Sequence, residues 1–227
     1  MVDIFEEVEA DLRAERMHGL LLRYGKVVAA AAIVAGVGIL AWQGTVWWQS
    51  RQQSQVAAAY FAAVQQQGGV NPAGTDAGGS AKAEAAFARL AGNNTPVGYR
   101  TLAQLRAAAL AAGNGQQKRA LSLWQEIASD RAAGPLFSGL GRLLWVMHQI
   151  DEVKPGGNTR PLEAELRPLL AEGSPWRGVA EETEALIAIA RGDKAAARKT
   201  LGTLRSDPAA PQGVRARAGA LLVELSE

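Results

Sequence analysis

The chain contains no cysteine, few aromatic residues and little excess charge. Without cysteine among its 227 residues, it can form no disulfide, thiolate nucleophile or cysteine-ligated metal site. Aromatic residues make up only 6% of the chain, and the net charge of +2 comes without the basic stripe usual in nucleic-acid-binding proteins. What the chain has instead is abundant alanine and 48% hydrophobic residues. This composition favours a mostly helical protein.

A long uncharged run lies near the N-terminus, between Lys26 and Arg51. Residues 27–48 would form a helix about 33 Å long, against a hydrocarbon core of about 30 Å. A helix in the core of a soluble protein normally has a polar face. No such face occurs between Val27 and Trp42. A cleaved signal peptide is the alternative, but it would have a shorter apolar run and a small-residue cleavage site. We therefore predict a transmembrane helix over residues 27–48.

Basic residues are distributed unequally on the two sides of this predicted span. Only Arg51 follows it closely, whereas four bases precede it: Arg13, Arg16, Arg23 and Lys26. Because lysine and arginine are retained on the cytoplasmic side, residues 1–26 are predicted to be cytoplasmic. Residues 49–227 are then predicted to be translocated across the membrane.

Two features of the N-terminal region leave alternatives open. Phe5, Val8 and Leu12 form an apolar stripe, which fits either a solvated cytosolic helix or a contact with a cytosolic or membrane partner. Within the span, Ala32 and Gly36 form a pair of small residues that could bring two helices close together. In a segment so rich in alanine, such a pair also arises by chance.

The region after residue 48 consists of helical patterns separated by short breaks. Residues 68–80, with the sequence GGVNPAGTDAGGS, are predicted to form a flexible loop. Residues 212–226 are predicted to form an amphipathic capping helix. Because no segment alternates between polar and apolar residues for long, the fold class is predicted to be all-α.

Small residues recur at nearly regular intervals in this region. Ala86, Ala120, Ala164 and Ala197 are separated by 34, 44 and 33 positions. Tetratricopeptide repeats are helix pairs of about 34 residues, so the spacing predicts a tetratricopeptide-repeat-like α-solenoid over 49–227. The long interval contains an inserted loop at 152–160.

Two segments match the repeat pattern in more detail. A turn glycine, a small residue and a large apolar residue follow one another as Gly115, Ala120 and Trp124, and again as Gly192, Ala197 and Leu201. In the third repeat, Pro168 falls inside the second helix and is expected to kink or shorten it.

One later helix has a distinct predicted orientation. Val179, Leu186 and Ala190 are expected to face inward, and Glu181, Glu182 and Glu184 are expected to form a solvated outer face.

No constellation of residues indicates catalysis or metal binding. His148 is expected at the edge of the core, and neither it nor His18 has a second ligand at metal spacing. The Arg191–Asp193 sequence, RGD, is interpreted as a turn between two helices. Because no set of polar groups converges on a pocket, we predict no catalytic residues, no metal and no cofactor.

Four motifs follow one another along the chain: GILAWQGTVWWQS at the end of the span, then NNTPVGYRTLAQLRAAAL, SPWRGVAEETEAL and RGDKAAARKTL. In these motifs and their order, the chain resembles the YfgM-like ancillary subunit family of the bacterial SecYEG translocon. This resemblance implies a single-pass protein of the bacterial inner membrane with a periplasmic repeat domain. It also implies an accessory, non-enzymatic role at the protein-export channel, in contact with translocating clients or periplasmic chaperones.

A structural role is the competing hypothesis. In it, the anchor dimerises through Ala32 and Gly36, and the helical array scaffolds envelope-assembly proteins. The first hypothesis predicts that a soluble fragment from about Ser50 onward still binds proteins. The second predicts loss of function when bulky residues replace Ala32 and Gly36.

Overall fold

The structure is a computed structural model that divides into two compact units, residues 1–55 and 56–227. It describes residues 38, 40, 42, 43, 47, 51, 53–67, 77–92 and 95–226. Most of the predicted span therefore lies outside the described residues, as do the Phe5 stripe and the Ala32 and Gly36 pair. Among the described residues, no helix has both the length and the apolar character needed to cross a bilayer.

The second unit is helical throughout its described part, with no β-strand there. Residues 53–66 are helical. The α-helices that follow are α1 (Ala77–Leu90), α2 (Val97–Gly113), α3 (Gln117–Ser129), α4 (Gly134–Met147), α5 (Arg160–Leu166), α6 (Arg177–Ala190), α7 (Lys194–Ser206) and α8 (Gln212–Glu224). Single 3-10 turns lie at Arg131–Ala133, Ile150–Glu152 and Arg167–Leu169. The predicted all-α class is confirmed over these residues.

Each helix packs mainly against its neighbours in sequence, which is how a repeat array is built. In addition, α4 contacts α6 and α6 contacts α8, although an odd-numbered helix separates each pair in the chain. Helices α4, α6 and α8 therefore lie side by side in one layer. The alternation of a helical-pair repeat assigns α2 to this even layer and the odd-numbered helices to the other layer. The core is a series of four hydrophobic clusters along this array. Trp145 contacts two of them, and so does Val179.

The α2–α3 and α6–α7 hairpins are closed by the same kind of turn. The backbone N–H of Gln116 donates to the Ala111 carbonyl, and that of Asp193 donates to the Ala188 carbonyl, both at 2.8 Å. These are Schellman turns, which require a left-handed residue at the position before the donor. Glycine fills that position both times, since Gly115 has φ of 77° and the glycine of the RGD sequence has φ of 91°. The predicted turn role of RGD is confirmed.

In these two hairpins, the residues predicted to bring the helices together are buried. Ala120 and Ala197 are fully buried, and so are Trp124 and Leu201 one turn later. An alanine here lets the backbones of two helices approach closely, and the large side chain then fills the space beside it. These two repeat units are therefore confirmed.

The segments that leave these two hairpins also resemble each other. Asp130 accepts a hydrogen bond from the backbone N–H of Ala132, and Asp207 accepts one from Ala209, both at 2.8 Å. The Ala132 N–H and the Arg100 guanidinium, 2.8 Å away, hold the pKa of Asp130 below its ordinary value. The same aspartate turn therefore redirects the chain after α3 and after α7.

The prediction that Ala164 lies at the helix contact of the third repeat is wrong, because its side chain is exposed on α5. Leu162, Leu166 and Leu169 are buried in its place. The inserted residues before Arg160 shift the register of this helix, so leucines rather than the alanine face the core. The expected effect of Pro168 is confirmed, since α5 ends at Leu166 and a 3-10 turn follows.

The predicted loop over residues 68–80 is wrong at its C-terminal end. Residues 77–80 belong to α1, while 68–76 lie outside the described residues. A Cβ on Gly79 would lie 3.2 Å from the carbonyl oxygen of Gln66. Here glycine permits close packing of α1 on the 53–66 segment rather than breaking the helix.

The inserted loop at 152–160 is attached to the α6–α7 turn. Gly156 donates its backbone N–H to the Arg191 carbonyl at 3.0 Å, and the Arg191 side chain binds Glu163 at 2.8 Å. Thr159, which is buried, donates to Glu163 at 2.7 Å. The insertion is thus part of the packed array.

The predicted capping helix corresponds to α8. Its Val214 and Ala218 are buried, as is Leu225 just beyond its last turn. They pack in one cluster with Leu201 and Leu204 of α7.

Replacing Gly141 by alanine should destabilise the array. A Cβ there would lie 2.8 Å from the Trp124 carbonyl oxygen and 2.9 Å from the Ala128 nitrogen, and neither backbone atom can move easily. We expect the free energy of unfolding to fall by about 1–3 kcal/mol in urea denaturation followed by circular dichroism. Gly202→Ala is the matched control, because nothing lies within 4 Å of its Cβ position on α7. That change should stabilise by about 0.5–1 kcal/mol, and equal effects would contradict the packing argument.

Candidate protein-binding face

The orientation of α4 can be deduced from Arg142. This side chain donates to Glu165 of α5 and to the Ala128 carbonyl of α3, the latter at 3.4 Å. One side of α4 therefore lies between two odd-numbered helices. Since an α-helix has 3.6 residues per turn, Leu136, Leu140 and Met147 lie on the other side, away from the odd layer.

These residues form an exposed apolar stripe. Leu136 is 49% exposed and Met147 is 40% exposed, while Leu140 between them is half-buried. Elsewhere in the second unit, Val97, Leu102 and Val223 are the large apolar side chains that stay exposed on helices, together with Phe61 of the 53–66 segment. Within the described residues of the unit, none of these lies on α1, α3, α5 or α7. We call the surface formed by Leu102, Leu136, Leu140 and Met147, with Leu186 of α6, the even-helix face.

The inward orientation predicted for part of α6 is right for Val179, which packs against two of the core clusters, and wrong for Leu186 and Ala190. Val179, Leu186 and Ala190 are only half-buried, and the buried residues of this helix are Ala180, Glu182, Thr183, Ala185, Ile187 and Ala188. By helical spacing, Leu186 and Ala190 lie on the side of α6 away from the odd layer. The core contacts of α6 are made by Ile187 and by small residues such as Ala180 and Ala185.

Glu182 was expected to be solvated, and its burial corrects that expectation. Its side chain is 8% exposed and accepts two hydrogen bonds from Arg217 of α8, both at 2.6 Å. This bidentate pair joins α6 to α8, and the hydrogen bonds that Arg217 donates to Glu182 raise the pKa of Arg217. A carboxylate can be buried here only because a guanidinium from a distant part of the chain reaches it.

Glu181 and Glu184 lie toward the odd layer. Glu181 pairs with Arg177 at 2.8 Å. Glu184 lines a polar cavity of about 240 Å³ together with Glu163 and Arg191. Glu184 is exposed, as predicted, and partial desolvation of its carboxyl, with repulsion from Glu163 and Glu181, raises its pKa. These carboxylates are thus partly structural, and they are not a uniform solvated face.

Two larger cavities flank the short helix α5. One, of about 370 Å³, lies at the insertion and has Trp145, Val153 and Leu162 in its wall. The other, of about 450 Å³, lies beside Trp176 after Pro168. The Trp176 indole N–H donates to the Leu136 carbonyl at 2.9 Å, which fixes the ring against α4. Both cavities occur where the repeat is irregular.

His148 lies at the C-terminal end of α4, half-buried, with its ring centroid 4.1 Å from that of Trp124. It therefore sits at the edge of the core, as expected. Within the described residues, no group of three or more histidine, aspartate or glutamate side chains could hold a metal ion.

The sequence did not point to the apolar stripe on α4. The signal was the sequence GPLFSGLGRLLWVM, in which Arg142 is the only charged residue. A helix that is apolar on all sides must be covered on all sides or expose a surface suited to a partner.

Stacked helix pairs with Schellman turns and an apolar face define an α-helical repeat protein of the kind that binds other proteins. A family model described as "Tetratricopeptide repeat-like domain" matches residues 21–139, so the chain belongs to this family. The match begins before the predicted span and ends inside α4. No curated protein and no solved structure matches the chain.

Neutralising Glu184 should stabilise the protein at neutral pH. Because its folded-state pKa is raised, the folded protein binds the proton more tightly, and stability falls as pH rises through that pKa. The urea midpoint of Glu184→Gln should therefore exceed that of the wild type at pH 7. The gain should vanish as the pH is lowered below the ordinary glutamate pKa of 4.5. Glu184→Asp, which keeps the charge, should show no such gain, and a pH-independent effect of Glu184→Gln would contradict the prediction.

Proposed function

We propose that this protein is a membrane-anchored, non-enzymatic protein-binding module that acts beside the Sec protein-export channel. In this proposal the even-helix face holds apolar segments of translocating clients or of periplasmic chaperones. The observation that carries it is the exposed stripe of Leu136, Leu140 and Met147 on a helix whose other sides are packed.

The form of the face fits the segments of incompletely folded proteins. Large apolar side chains at the surface cost stability unless a partner covers them, so a contiguous set of them indicates an interaction surface. Leucine and methionine make adaptable contacts that suit several sequences rather than one. The repeat layer also holds these side chains on rigid helices, which limits the entropy lost on binding.

Membrane anchorage is supported by the sequence of residues 27–48 and by the preceding bases. Of the few described residues there, Leu40 and Trp42 are 73% and 70% exposed. Such side chains suit a lipid environment better than water. The resemblance to ancillary translocon subunits supports the inner membrane, a periplasmic repeat domain and the Sec channel as the site of action.

In-cell photocrosslinking of the full-length protein tests the binding face. A photoreactive residue at Met147 should capture exported proteins or chaperones, whereas one at Thr203, exposed on α7, should not. Adding Leu136→Asp to the Met147 crosslinking variant places a charge on the face. It should lower the crosslinking yield at position 147 roughly tenfold. Thr203→Asp is the control and should leave the yield unchanged. Equal protein capture at both positions would show that the even-helix face is not the binding surface.

The anchor is tested by alkaline extraction of membranes and by crosslinking at Trp42. We expect the protein to remain in the membrane fraction with its N-terminus intact, and Trp42 to capture translocon subunits. An N-terminus beginning near residue 49 would identify a cleaved signal peptide instead. Capture of only a second copy at Trp42, with envelope-assembly proteins at Met147, would favour the scaffold hypothesis.

A further inference from the structure

Basic residues on the odd-numbered helices differ from those on the even-numbered helices in their partners. On α7, Lys194, Arg198, Lys199 and Arg205 are all exposed, no acid occurs in the helix, and no carboxylate lies within 4 Å of any of them in the described part of the chain. Arg198 donates instead to the backbone carbonyl of Leu225, just beyond α8. Lys82 of α1 and Lys118 of α3 are also exposed, and neither has a carboxylate within 4 Å among the described residues. We call the surface that carries these six side chains the odd-helix face.

Arginines of the even-numbered helices are mostly neutralised. Arg100 pairs with Asp130, Arg177 with Glu181, and Arg217 with Glu182. Arg142 of α4 likewise pairs with Glu165. Positive charge therefore accumulates on the odd-helix face, even though the whole chain has a net charge of only +2.

The acids of the odd-numbered helices do not offset this charge. Glu84 of α1 is buried and bonded to Asn114, Gln116 and Arg119. Glu165 of α5 pairs with Arg142 of α4, and Glu163 pairs with Arg191 in the α6–α7 turn. Glu126 of α3 is the acid that remains exposed on these helices in the part of the chain described.

The surface between these bases is polar or small. None of the large apolar side chains that stay exposed lies on α1, α3, α5 or α7 among the described residues. A stable protein interface normally has an apolar centre within its charged rim, and single-stranded nucleic acid normally stacks on exposed aromatic rings. Bases spread over several helices, with neither feature, suit an anionic lipid surface, where attraction depends on charge alone.

We propose that the odd-helix face docks on the anionic headgroups of the bilayer. The inference rests on the membrane anchorage proposed above, since a tether keeps the domain at a high effective concentration beside the lipid. Docking by the odd layer turns the even-helix face away from the bilayer. The two surfaces then have separate roles, one holding the domain on the membrane and the other remaining open to protein partners.

The test uses the full-length protein reconstituted in lipid vesicles. Because the chain has no cysteine, Thr203→Cys on α7 and Ala109→Cys on α2 each give one exposed labelling site. Energy transfer from the label to an acceptor on the lipid headgroups reports proximity. In vesicles that contain phosphatidylglycerol, transfer should be strong from position 203 and weak from position 109. It should fall in high salt and in vesicles of phosphatidylcholine alone.

Charge variants then test which bases are responsible. Each base near an anionic surface contributes about a fivefold change in binding, so Lys118→Gln with Lys199→Gln should lower the docked fraction relative to the undocked one roughly 25-fold. Arg106→Gln with Lys154→Gln removes the same charge elsewhere and should change this ratio by less than about twofold.

Equal transfer from the two labels, or transfer insensitive to phosphatidylglycerol, would overturn the proposal. So would equal losses in the two charge variants. If the anchored protein stays undocked but an acidic protein is captured through position 203, the odd-helix face binds a protein and not lipid. Failure of the protein to enter vesicles at all would contradict the anchor itself, and Met147 crosslinking tests the even-helix face independently of both.

Discussion

The close approach of neighbouring helices is the constraint on which the rest of this structure depends. One helix pair cannot bury its own apolar surface, so each pair must stack on the next. Alanine or glycine at the crossings makes this possible, as at Ala120, Ala197 and Gly141. Large side chains such as Trp124 then fill the gaps beside the crossings. Because the helices meet through small residues, a methyl group added to one helix would clash with the backbone of the other.

The array is least regular around α5, and this irregularity is compensated by polar contacts. Arg191 joins the insertion to the α6–α7 turn through its backbone carbonyl and its side chain. The short helix leaves a cavity at each end, beside Trp145 and beside Trp176. The repeat thus tolerates an insertion and an internal proline because neighbouring turns hold the altered segment in place.

Two layers of helices give the domain two chemically different surfaces. Apolar side chains such as Leu136 and Met147 remain exposed in the even layer, where most arginines are paired with carboxylates. The odd layer exposes unpaired bases such as Lys118 and Lys199 and no large apolar side chain in the described residues. The repeat architecture thus segregates apolar and basic side chains on different layers of the same domain.

The sequence by itself determined the helical class, the repeat period and the two Gly–Ala–large-apolar hairpins, because turn chemistry and spacing are local. It also indicated that Pro168 would kink or shorten its helix. It misplaced Ala164, Gly79 and Glu182, and it did not find the Leu136 stripe. Those assignments depend on which helix passes beside each residue, and only the tertiary structure decided them. Glu182 is buried because Arg217 of α8 reaches it, and no local pattern in α6 records that contact.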